Sequence, residues 1–88
     1  MEDEFIKNLI CEHVAKSLKA QLLEGVLSEP YKVHQGLWKI FVALPSIDDA
    51  IERVYVLQSV EDAWNNVGDH DFQIVLMPAS FTKGQLTA

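Results

Sequence analysis

Apolar residues recur every four positions through the start of the chain, at Ile6, Ile10, Val14, Leu18 and Leu22. Phe5, Leu9, Cys11, Ala15 and Leu23 widen this into one stripe, so the segment Phe5 to Leu27 is amphipathic and a helix is expected over residues 4–24. Asp3 stands where it can cap that helix, and Glu2 and Glu4 suit the positive end of its dipole. Gly25 is the expected stop, with Val26 and Leu27 folding back as apolar contacts. The opposite face carries Lys7, Asn8, Glu12, Lys16 and Lys19.

After a linker at Ser28-Glu29-Pro30 the period changes from four to two. Tyr31–His34 is a short strand candidate, and Gln35-Gly36 is a tight turn or a bulge, since Gly36 can adopt positive φ. Leu37–Leu44 is the strongest strand, with one apolar face (Trp38, Ile40, Val42, Leu44) and one mixed face that includes Lys39. Pro45 ends it. Ser46–Ala50 reads as a turn, or as one helical turn with Ser46 as cap and Asp49 in the capping-box place. Glu52–Leu57 alternates, with Val54 and Val56 on one side and Arg53 and Tyr55 on the other, and is expected to pair with Leu37–Leu44 as a hairpin. Ser59-Val60-Glu61-Asp62 then opens a second helix with Val60, Ala63, Trp64 and Val67 as its apolar face and Gly68 as its stop. Asp69-His70-Asp71 is a turn, Phe72–Met77 a last strand closed by Pro78, and residues 79–88 a frayed tail.

The expected fold is α+β: a long N-terminal helix on a small, mostly antiparallel sheet with a second short helix, in the order α-β-β-(β)-α-β. The 88 residues, 49% of them apolar, make one domain over 1–88 with one core. A chain of this size buries only about 60–65% of its unfolded surface, so self-association is a ready source of further stability.

Charge narrows the partners. The formal net charge of −6 and a pI near 4.8 oppose unaided binding to nucleic acid or anionic membranes. Cys11 is the single cysteine, so no internal disulfide forms, which fits a reducing compartment. The start Met1-Glu2-Asp3-Glu4 is acidic where a secretory signal is basic, and no apolar run approaches the roughly 18–20 residues of a membrane span. A cytoplasmic protein is expected.

Asp69-His70-Asp71 is the densest group of potential metal ligands, but neighbouring residues in an extended turn point different ways. Cys11, Glu12 and His13 diverge by about 100° each on a helix and form no Cys-His pair by themselves. His34 beside Trp38 could line a pocket, although a strand-surface histidine is the simpler reading. Asp48, Asp49 and Glu52 lie in or beside one loop, with Glu61 and Asp62 not far along the chain, so an acidic patch can form. The element order invites comparison with small metal-dependent nuclease cores, but Glu52-Arg53-Val54 lacks the lysine such cores need and Leu37–Leu44 contains no acid. Glycine-rich phosphate loops and Cys-x-x-Cys are absent, and no cofactor is implied.

Two functions fit these residues. The leading one is a non-enzymatic interaction domain, such as an inhibitor, an antitoxin-like protein or an accessory subunit. It would meet a basic protein partner through Asp48, Asp49, Glu52 and Phe41. The alternative is a metal- or ligand-binding domain or enzyme with a loop-borne or inter-subunit site drawn from Asp69, His70, Asp71, Asp49 and Glu52. A homodimer is expected. Leu37–Leu44 is apolar on both faces, so Phe41 and Ala43, with Leu37 and Tyr31, need a cover on the second face. The competing cover is the tail around Phe81.

Overall fold

The computed structural model describes residues 2–66 and 71–79. Helix α1 spans Glu2–Ala20, strand β1 Val26–Leu27, β2 Tyr31–His34, β3 Leu37–Ala43, helix α2 Ala50–Asn65 and β4 Gln73–Pro78. The fold is α+β, in the expected order of a long helix, a small sheet, a second helix and a last strand. The expected helix stop at Gly68 and the tail around Phe81 lie outside the described residues.

β3 is the centre of the sheet. β1 and β2 both pair with it antiparallel, and β4 pairs with it parallel along Leu37–Val42. A strand has only two hydrogen-bonding edges, so β1 and β2 share one of them in succession. Ser28 bridges their gap: its backbone N–H donates to the Phe41 carbonyl at 2.9 Å, and its Oγ accepts from the Phe41 N–H at 2.9 Å. The expected linker is thus an irregular stretch of one edge lane, with Pro30 buried beneath it. Gln35-Gly36 is the turn of the β2–β3 hairpin, with Gly36 at φ +83°, and the register slips separately between Lys32 and His34.

Alternation along β3 and β4 separates two faces. Trp38, Ile40 and Val42, with Ile74 and Leu76, are buried in one cluster with Ile10, Val14 and Leu18 of α1 and Leu57, Val60 and Trp64 of α2. Both helices therefore cover the same face. Leu37, Lys39, Phe41, Val75 and Met77 occupy the alternate positions and are only half-buried.

Two expectations require correction. Glu52–Leu57 is no strand and makes no hairpin with β3; it lies inside α2. Asp49, not Ser46, is the cap: its side chain accepts from the Ile51 N–H at 3.0 Å. Ser46 sits in a turn closed by the Ile47 N–H donating to the Leu44 carbonyl at 3.1 Å. In helical register Leu57, Val60 and Trp64 fall at i, i+3 and i+7 and form the buried stripe, so core packing overrides a six-residue alternation.

The second correction concerns both ends of α1. At the first, Asp3 lies inside the helix rather than capping it. The helix stops at Ala20, and the left-handed residue behind it is Leu22 (φ 60°). The Leu23 N–H donates to the Leu18 carbonyl at 2.9 Å and the Leu22 N–H to the Lys19 carbonyl at 2.9 Å, a Schellman closure with leucine where glycine is usual. Gly25 serves a different need, because a Cβ there would sit 2.5 Å from Leu18 Cδ1 and 3.3 Å from Val42 Cγ1. Its lack of a side chain lets the return strand lie against the core.

Two stability predictions follow from this packing. Leu22 is 93% exposed and contributes almost no burial, so Leu22→Gly should raise stability by about 0.5–1 kcal/mol by removing left-handed strain. A lower urea midpoint would contradict that account of the turn. Trp64 is 5% exposed, stands edge-on to His13 at 5.0 Å and lies 5.2 Å from Phe72. Trp64→Ala should cost roughly 3–5 kcal/mol, and an unchanged urea midpoint would remove Trp64 from the core.

Candidate interaction surfaces

The candidate residues separate onto different parts of the molecule. Asp48 and Asp49 are exposed just before α2, and Glu52 is exposed in its first turn, so these three come together. Phe41 does not join them. It lies on the sheet face opposite the helices, stacked on Tyr31 with ring centroids 6.2 Å apart. Asp71 is exposed ahead of β4, while Asp69 and His70 lie outside the described residues. No group of three or more His, Cys, Asp or Glu among the described residues is placed to hold a metal ion.

Cys11 and His13 diverge, as helical geometry requires. Cys11 is half-buried against the core, and that burial, with Glu29 nearby, pushes its thiol pKa up. His13 ties the two helices together: its Nε2 lies 3.0 Å from the Val60 carbonyl oxygen. A carbonyl only accepts, so Nε2 carries the hydrogen. His34 is exposed, with Nδ1 3.1 Å from the Gln35 carbonyl oxygen. The cation above Trp38 is Lys32, 5.8 Å from the ring, which also pairs with Asp3 at 3.7 Å. Beside it Lys7 donates to Glu29 at 2.8 Å; this hydrogen-bonded ion pair holds the Glu29 carboxyl below its usual range and the Lys7 ammonium above.

The arrangement that the sequence concealed lies between α2 and β4. The Gln73 N–H donates to the Gly36 carbonyl and the Ala79 N–H to the Val42 carbonyl, so odd-numbered amides of this lane face inward and even-numbered ones face outward. An outward row of this kind is ordinarily an open sheet edge. Here the Ile74 N–H donates to Asn65 Oδ1 at 3.2 Å, Asn65 Nδ2 donates to the Ile74 carbonyl at 3.3 Å, and the Leu76 N–H donates to Glu61 Oε2 at 3.0 Å. The next outward position is Pro78, which has no N–H to satisfy. The spacing explains the match. Glu61 and Asn65 are one helical turn apart, a rise of about 6 Å. Ile74 and Leu76 are two strand residues apart, about 6.6 Å. The turn before Glu61 on α2 brings Leu57, an apolar residue, where β4 offers proline. One signal was available: two polar residues four apart on an otherwise apolar helix face, followed by a strand ending in proline.

Beyond this clamp, the outer side of α2 is apolar. Ile51, Val54 and Tyr55 are 64%, 47% and 66% exposed. A hollow of about 590 Å³ opens between the end of α1 and β1, lined by Leu18, Lys19, Leu23 and Pro45 among others. No helix among the described residues is long and apolar enough to cross a membrane. Comparison with family models, with curated proteins and with solved structures gives no match.

The clamp makes a direct prediction. Asn65→Leu removes both partners of Ile74 and should lower stability by about 1–3 kcal/mol. It should also raise light scattering on heating, because part of the edge is then unprotected. Glu61→Gln keeps an acceptor and should cost less than Glu61→Ala. Urea midpoints for the three variants check this, and equal midpoints in all of them would mean the side chains do not bear on β4.

Proposed function

We propose that the chain is a small acidic, non-enzymatic interaction domain that acts as a homodimer in the cytoplasm and regulates a protein partner, in the manner of an inhibitor or accessory subunit. The observation that carries this reading is the sheet face opposite the two helices. Leu37, Phe41, Val75 and Met77 lie there half-buried in two adjacent strands, with Tyr31 stacked on Phe41 from the third lane. Lys39 is the one charged residue of β3 and β4 on that face.

A second copy suits such a face. Pairing about a two-fold axis brings each apolar residue against the same kind of surface with one self-complementary contact. Three lanes about 4.8 Å apart and six residues of about 3.3 Å give a footprint of roughly 14 by 20 Å. That is well below the roughly 800 Å² per partner of a standard interface, so a reversible, concentration-dependent dimer follows. The capped edge of β4 is consistent with the same geometry, since pairing there through strand addition is blocked.

Sedimentation of the full chain from about 10 to about 500 µM, a range that brackets dissociation constants of roughly tens to hundreds of micromolar, tests this. The expected result is a rise in weight-average mass towards twice 9.9 kDa. Phe41→Lys should hold the protein at the monomer mass throughout. A single 9.9 kDa species at every concentration of the unaltered chain would overturn the dimer.

A further inference from the structure

We propose that the outer face of α2, continuous with the groove between α2 and β4, is the docking site for a basic amphipathic helix of a partner protein. This rests on the reading of the chain as an interaction domain but uses a surface other than the sheet face bearing Phe41, so the two can fail separately.

Ile51, Val54, Tyr55 and Gln58 stand at i, i+3, i+4 and i+7 on α2 and are all exposed. That is the spacing of a helix face built to bury, and α2 already buries another through Leu57, Val60 and Trp64. Three apolar residues grouped on one exposed helix face form a patch rather than scattered surface apolar residues. Val54 and Gln58 also line a groove of about 210 Å³ with Leu57, Glu61, Leu76 and Pro78, so the stripe continues into a concave seat beside β4.

The charge around the stripe selects the occupant. Asp48, Asp49 and Glu52 lie at its N-terminal end, Glu61 along one side and Asp62 at its far end. The one cation of α2, Arg53, is turned away, with Nε donating to the Ile47 carbonyl at 2.6 Å and an Nη to the Asp48 carbonyl. The ion pairs among the described residues use none of these acids; they join Lys7 to Glu4 and Glu29, and Lys32 to Asp3. An apolar stripe rimmed by acids that form no ion pair among the described residues complements apolar residues flanked by Lys and Arg. A second copy of this chain would set acid against acid, so self-association through α2 is disfavoured.

The clamp on β4 decides the form of the partner. An extended peptide binds a sheet by adding a strand to a free edge, and here the outward amides of Ile74 and Leu76 are taken and Pro78 has none. What remains is side-chain recognition along a helix and its groove, which a second helix provides through its own i, i+3, i+4 and i+7 positions.

The test titrates the full chain with a lysine–leucine peptide of about 14 residues whose leucines follow helical spacing, monitored by amide NMR. Saturable binding is expected, with shifts centred on residues 51–62 and 76–77. Ile51→Ser with Tyr55→Ser changes only exposed side chains and should weaken it at least about 10-fold. Glu52→Gln with Asp62→Asn should weaken it about 3- to 10-fold and flatten its salt dependence. The Phe41→Lys variant should bind as tightly as the unaltered chain. No saturation, shifts centred on β3, or indifference to the Ile51/Tyr55 variant would overturn the site. Equal binding of an isomeric peptide with alternating leucine and lysine would overturn its selection of a helix.

Discussion

Asn65 and Glu61 hydrogen-bond the outward backbone of β4, and the rest of the architecture leans on that contact. β4 is parallel to β3, so the chain must cross the sheet between them, and α2 is the crossing. A helix laid over the last strand could simply bury it and leave its edge bare. Here the helix repeat and the strand repeat are close enough that two successive polar positions on α2 meet two successive outward amides on β4. Where the match would need a third, the strand has a proline. β4 is an edge strand by topology and a closed one by chemistry.

Once α2 is held there, the other surfaces are settled. α1 takes the remaining part of the same sheet face, over the lane of β1 and β2, where Gly25 allows Leu18 to approach Val42. His13 and Trp64 fill the seam between the helices. Both helices are spent on one face, so among the described residues no helix covers the face bearing Phe41, and α2 keeps a second apolar side towards solvent. An exposed apolar helix face and a half-buried apolar sheet face on so small a domain are hard to explain as core and easy to explain as contacts.

The long helix, the central strand and the burial of Trp64 were legible in the sequence because each carries one unbroken period. α2 was legible only in its second half. Its outward residues Ile51, Val54 and Tyr55 are as apolar as its inward ones, so the 3.6-residue signal is blurred and six residues imitate a strand. The feature that hid the helix is thus the one that marks a surface. Glu61 was visible only as one of several acids, because its role depends on a strand twelve residues further on. Leu22 was read as the end of the stripe; nothing in its chemistry announces a left-handed backbone, whereas Gly25 did and proved to serve packing instead. Of the proposed partner residues, the acids around Asp49 came together, while Phe41 belongs to the other face.

Native-state hydrogen exchange at Ile74 and Leu76 tests the central claim most directly. Both amides point away from β3, and among the described residues their hydrogen-bond partners are the side chains of Asn65 and Glu61. If the clamp holds, both exchange as slowly as the central amides of β3 and through the same global opening. If they exchange at the rate of the outward amides of β2, the edge of β4 is open and the account is wrong.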